Sequence, residues 1–192
     1  MVFSNSDRLV LQAAPILQRG WGSSFLSQWA EDILAEAHYN LRRKCPEQPS
    51  GSIDARFDRI RKSLKDWRIT DYKITNTDHH DGHDYHIVNA ALAGQTDYLV
   101  TNDKAFSRGL NLDDFPFEIL SSDEFLCLVY ESAPELCLQV SHDELRYWQT
   151  KKQTDPSIAV NLPKTLRNAG CPIFAEKVRH MVLQINDETY RC

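Results

Sequence analysis

The stretch that decides the fold reads Asp84-Tyr85-His86-Ile87-Val88-Asn89-Ala90-Ala91-Leu92-Ala93-Gly94 and, after a short link, Asp97-Tyr98-Leu99-Val100-Thr101-Asn102-Asp103. Its first part predicts an alanine-rich helix that starts on a carboxylate and stops at glycine. Its second part predicts a strand from Tyr98 to Thr101 that hands over Asp103 at its C-terminal end, where parallel α/β sheets place ligands. A loop crowded with His and Asp, from Asp78 to His83, runs directly into the helix. Carboxylates delivered by a helix start and a strand end suggest a site for a divalent metal.

Working outward, Ile33, Leu34, Ala37 and Leu41 recur at helical spacing, which predicts a helix from Asp32 to Lys44. Asp32, Glu36, Asn40 and Arg43 then form a separate polar stripe. A second helix is expected from Ile53 to Lys65, with Ile53, Phe57, Ile60 and Leu64 inward and Arg56, Arg59 and Lys62 outward. Short strands are expected at Phe25–Ser27, Arg68–Tyr72 and Phe117–Leu120. Ser121-Ser122-Asp123-Glu124 resembles a capping box opening the next helix. Strands alternating with helices imply a parallel sheet. Beyond Glu131 the pattern is helical, with a break at Asp155-Pro156 and a divide at Gly170-Cys171-Pro172. The expected organisation is a domain over 1–131 and a helical extension over 132–192.

Composition sets bounds. With 192 residues, 42% of them hydrophobic, the chain can bury one good core, and a net charge of −5 argues against non-specific coating of nucleic acid. A local basic groove remains compatible with that balance. The five cysteines are odd in number and form no C-x-x-C pair, so neither a disulfide framework nor a cysteine zinc site is encoded. No signal-peptide pattern opens the chain and no run is apolar enough to span a bilayer, so the expectation is a cytoplasmic protein with no membrane partner.

Three carboxylates are the candidate ligands. Glu36 projects from the polar stripe of the first helix, Asp84 sits in the first turn of the central helix, and Asp103 follows the strand. Together they would hold Mg²⁺ or Mn²⁺, acidify a bound water and stabilise charge on a phosphodiester; Asp81 is a reserve ligand. Each also has a plain structural explanation. Asp84 could cap its helix, Glu36 could be a solvated charge, and Asp103 could belong to an ordinary turn.

These motifs resemble the PIN domain, in particular its VapC-like toxin ribonucleases. The resemblance rests on Asp81-x-x-Asp84-x-His86, the run Ile87 to Gly94, the run Asp97 to Phe106, and the upstream helix Trp29 to Leu41 that carries Glu36. It covers roughly residues 1–131, and Leu162–Gly170 is similar to helical tails in that branch. The resemblance implies a three-layer α/β/α fold on a parallel central sheet, plus a C-terminal helical extension. It implies Mg²⁺ or Mn²⁺ held by Glu36, Asp84 and Asp103, with Thr101 and Asn102 bordering the site, and RNA as the substrate. A cognate antitoxin and a homodimer are the implied partners. PIN domains begin with a strand ending in aspartate; here Met1-Val2-Phe3-Ser4 aligns just after it, and Asp7 falls too late to replace it. A missing first strand and ligand are therefore expected, and three readings follow: a start upstream of Met1, which is the most economical, a natural truncation that is weak or inactive, or a gap repaired by another segment; an impaired chain would act by binding RNA or a protein partner.

Other constellations carry less. His79, His80, His83 and His86 with their neighbouring aspartates could hold zinc or iron, but no recognisable second half of such a site exists elsewhere. Arg42, Arg43 and Lys44 join Arg56, Arg59, Arg61, Lys62, Lys65 and Arg68 in a basic concentration suited to phosphate, with Arg43 as the substrate-binding candidate. Interleaved Asp54, Asp58 and Asp66 would equally make it a solvated, ion-paired surface. Ser141-His142-Asp143 spells a triad but cannot present one from adjacent positions.

Overall fold

The computed structural model describes residues 2–3, 28–75, 82–108 and 111–189. Contacts divide the chain into two compact units, residues 1–121 and 122–192. The helix after Ser121 thus groups with the C-terminal helices, whereas the sequence counts it with residues 1–131.

In the first unit, α1 (Glu31–Lys44) and α2 (Ser50–Ser63) are followed by α3 (Tyr85–Ala93). Helix α1 buries Ile33, Leu34 and Ala37, and α2 buries Ile53, Phe57 and Ile60, as their apolar spacing requires. Trp29, Leu34, Ala37, Ile53, Phe57, Ile60 and Leu64 pack into one apolar cluster. Ile33, on another side of α1, joins Ile87, Val88, Ala90, Ala91, Leu99, Phe106 and Phe117 in a second. Trp29 ties this unit together with more than its ring. Its Nε1 donates to the Leu64 carbonyl at 2.7 Å, and its own carbonyl accepts from the Ile69 N–H at 2.8 Å.

The expected three-layer α/β/α fold on a parallel central sheet does not form. Among the described residues the chain is mostly helical. Its strands β1 (Val2–Phe3), β2 (Tyr98–Val100) and β3 (Glu118–Leu120) are two or three residues long and lie parallel in the order β1-β2-β3. Val2 pairs with Leu99 and Phe3 with Val100, while Tyr98, Leu99 and Val100 pair with Glu118, Ile119 and Leu120. Ordinary strands run about five or six residues, so this ladder is a splice between helices rather than a layer. Val2–Phe3 supplies the neighbour of β2, where the sequence predicted a lost strand.

The predicted strand at Arg68–Tyr72 shrinks to one parallel bridge between Arg68 and Trp29. Asp71 adopts φ 60°, a left-handed conformation that ends an extended run. Phe25–Ser27 lies outside the described residues. Gly94 does stop α3, but with an ordinary φ of −76°, and it is Gln95 that turns left-handed at φ 48°. Glycine is needed for space: a Cβ at Gly94 would sit 2.8 Å from both Gln28 Oε1 and Ile69 Cδ1.

The second unit consists of α4 (Ser122–Ser132), α5 (Pro134–Thr154), α6 (Leu162–Asn168) and α7 (Pro172–Thr189). Asn161 caps α6 by accepting the Lys164 N–H at 3.0 Å, and Gly170 reverses the chain at φ 88° before α7. Phe125, Val129, Leu166, Phe174, Ala175 and Val178 are buried. Cys137 and Cys171 are buried too, and burial pushes the Cys137 thiol up to about 11. Because the thiolate is the reactive form, neither cysteine should be alkylated in the native chain near pH 8, and both should be labelled once urea unfolds it. Peptide mass spectrometry after labelling checks this; fast native labelling of Cys137 or Cys171 would contradict the packing.

Candidate active site

Helix α1 presents two acidic residues one turn apart, and each meets a different part of the first unit. Asp32 accepts from the Tyr72 hydroxyl through both carboxylate oxygens, at 2.6 and 2.7 Å. Burial, then the adjoining Asp32, hold the Tyr72 phenol above its ordinary range, so it stays a proton donor. Glu36 Oε2 lies 3.2 Å from His86 Nε2, an ion pair whenever the imidazole is protonated. Glu36 is therefore more than a solvated charge on an outward stripe. It is placed against the first turn of α3, the helix that Asp84 opens.

Asp84 occupies the N-cap position of α3, yet its side chain makes no capping hydrogen bond. Its backbone is already helical there, at φ −93° and ψ −3°, the last residue of the 3-10 turn Gly82–Asp84. An N-cap residue normally takes extended dihedrals so that its carboxylate can reach back to the N–H groups. One turn into α3, the buried Asn89 donates to the carbonyls of Thr75 at 2.9 Å and Tyr85 at 2.7 Å and accepts from the Thr75 hydroxyl at 3.0 Å. This fastens the end of the 69–75 segment to the same helix.

Asp103 stands where β2 ends. The buried Thr101 accepts the Asp103 N–H at 3.0 Å, and Asp103 Oδ1 accepts the Ala105 N–H at 2.8 Å. Asp103 is exposed, Asn102 half-buried, and the turn chemistry anticipated for Thr101–Asp103 is present. Asp81 lies outside the described residues, as do Asp78, His79 and His80. Arg43 is exposed at the last turn of α1, its guanidinium 5.9 Å from the Tyr39 ring centroid.

Of the expected ligands, Glu36 is brought against His86 in the α3 turn that Asp84 begins, and Asp103 is placed by β2. Among the described residues no group of three or more His, Cys, Asp or Glu side chains gathers as a metal cage. The donors are nonetheless hard carboxylate oxygens, and Mg²⁺ commonly uses only one or two carboxylates while keeping several waters. The donor type suits that cation, but the described residues do not gather the three carboxylates into one site.

Tyr72 and Asn89 were not singled out by sequence reasoning. Asn89 had a signal, being an amide inside an otherwise apolar run from Ile87 to Ala91. Tyr72 had none, since its partner is forty residues away.

Much of the basic concentration is internally paired. Arg61 reaches Glu31 at 2.8 Å and Asp58 at 3.5 Å, Arg68 reaches Glu31 at 3.4 Å, and Arg42 donates to Ser50 Oγ at 2.7 Å. These contacts are exposed or partly so and contribute little individually. No helix among the described residues is long and apolar enough to cross a membrane. No family model, curated protein or solved structure matches the chain.

Proposed function

We propose that the chain is a Mg²⁺- or Mn²⁺-dependent ribonuclease, with Glu36, Asp84 and Asp103 serving the metal and Thr101 and Asn102 bordering the site. The observation that carries this reading is the 3.2 Å contact of Glu36 with His86, in the α3 turn that Asp84 begins. The ordered motifs shared with PIN nucleases support the same reading, although the layered fold of those proteins is not retained. When bound, the metal would neutralise phosphate charge and acidify a coordinated water.

The protein's own groups have distinct tasks in this scheme. His86 holds the Glu36 carboxylate toward α3. Tyr72 satisfies Asp32 and thereby leaves Glu36 as the acidic group of α1 presented there. Thr101 and the Ala105 N–H fix the turn that presents Asp103. Arg43 contributes positive charge for a phosphate. In keeping with this reading the protein would work in the cytoplasm as the toxin of a toxin-antitoxin pair, with an antitoxin protein as its partner and as a homodimer.

The test is cleavage of single-stranded RNA by the purified 192-residue chain, with Mn²⁺, with excess chelator, and in a Glu36→Gln variant. Cleavage that needs Mn²⁺ and falls at least about tenfold in the variant is expected. Cleavage indifferent to the chelator would point to a contaminating metal-independent nuclease. A properly folded chain with no activity in Mn²⁺ would overturn the enzymatic reading and favour a role in binding.

A further inference from the structure

Helix α1 continues past Glu36 as an outward stripe that ends in positive charge. Tyr39 is 60% exposed and Arg43, four residues on, places its guanidinium 5.9 Å from the centre of the Tyr39 ring. Arg42, Arg43 and Lys44 form the last turn. A single exposed tyrosine is unremarkable on a protein surface. This one differs in being coupled to a cation and in sharing its helix face with the proposed metal ligand, at positions i+3 and i+7 from Glu36. A rise of about 1.5 Å per residue places Tyr39 about 4.5 Å and Arg43 about 10 Å along the helix axis from Glu36.

An aromatic ring next to a guanidinium offers what an unpaired nucleotide needs. The ring supplies a flat apolar surface for a base and the cation a counter-charge for its phosphate. A base inside a duplex is already stacked and cannot use such a ring, so the arrangement discriminates by strandedness. Arg42 is committed elsewhere, to Ser50 Oγ and, at 3.8 Å, to Asp54. All three cations of that turn are exposed, and of them Arg43 is the one set against the Tyr39 ring.

We propose that Tyr39 and Arg43 form a stacking step for single-stranded RNA, in which Tyr39 receives a base next to the phosphate presented near Glu36 and Arg43 contacts the neighbouring phosphate. This rests on the ribonuclease reading above for its placement, but its binding consequence stands apart from cleavage. Both are positioning residues.

Binding of a fluorescent single-stranded oligoribonucleotide is measured by anisotropy in chelator, so that nothing is cut, for the full chain and for Tyr39→Ala, Tyr39→Phe and Arg43→Gln. Tyr39→Ala should weaken binding about tenfold and Tyr39→Phe should restore it, because stacking needs the ring and not the hydroxyl. Arg43→Gln should lower the slope of log affinity against log salt by about 0.7, one phosphate contact on a single strand. Duplex RNA should bind the native chain and Tyr39→Ala alike. In Mn²⁺, Tyr39→Ala should raise KM with kcat retained. Equal single-strand affinity for the native chain and Tyr39→Ala, a Phe variant as weak as Ala, or no RNA binding at all would overturn the proposal. A Tyr39-dependent complex that is never cleaved would instead sink the ribonuclease reading and leave the stacking step standing.

Discussion

Asp84→Asn is expected to reduce Mn²⁺-dependent RNA cleavage at least about 100-fold while changing unfolding free energy by no more than about 0.5 kcal/mol. The two effects separate because Asn keeps the shape of Asp and removes its charge, and the Asp84 side chain makes no capping hydrogen bond to α3 that could be lost. Asn is moreover about as good an N-cap as Asp. If the residue were only a helix starter, Asn would serve equally well and activity would persist. Initial rates with Mn²⁺ beside a urea titration of the same preparation decide between the two roles. Full activity in the variant, or a loss matched by unfolding, would remove Asp84 from the site.

Asp123→Ala is expected to destabilise the 122–192 unit by about 2–4 kcal/mol. Asp123 is 7% exposed, and it reaches from α4 to the start of α7 fifty residues away. Its Oδ2 accepts the Ile173 N–H at 3.0 Å and its Oδ1 accepts the Phe174 N–H at 2.8 Å. A helix N-terminus has unsatisfied N–H groups and a partial positive charge, so a carboxylate there is favourable on both counts. Alanine would leave two N–H groups without their acceptor and a small void among buried neighbours. Asn keeps one acceptor oxygen and should lose about half as much. Urea denaturation followed by circular dichroism, with limited proteolysis to locate the weakened unit, measures this. An unchanged midpoint for the alanine variant would mean that water replaces the carboxylate at no cost.

Asp123 also illustrates where sequence reasoning stopped. Ser121-Ser122-Asp123-Glu124 reads locally as the opening of α4, and α4 does begin there. That the same aspartate serves a different helix is a long-range fact that no window of neighbouring residues contains. Helices were legible because their apolar spacing reports a face: Ile33, Leu34 and Ala37 are buried as predicted, and so are Ile53, Phe57 and Ile60. The sheet was overestimated because an apolar run such as Tyr98–Thr101 signals burial more firmly than strand length. Arg68–Tyr72 has suitable side chains for a strand, but the backbone reversal at Asp71 is invisible in them. At the candidate site, Glu36, Asp84 and Asp103 were named from motif order. The partners that orient them, His86 beside Glu36 and Thr101 beneath Asp103, follow from tertiary placement.

On the ribonuclease reading proposed above, the Glu36–His86 contact would make cation binding a substitution rather than an addition. A metal arriving at Glu36 would find a carboxylate already engaged at 3.2 Å, and would have to share it or displace the imidazole. The affinity measured for that metal would then be a difference between two interactions. Removing the histidine would tighten metal binding and at the same time loosen the carboxylate that receives it, so occupancy and orientation are set against each other by a single ring.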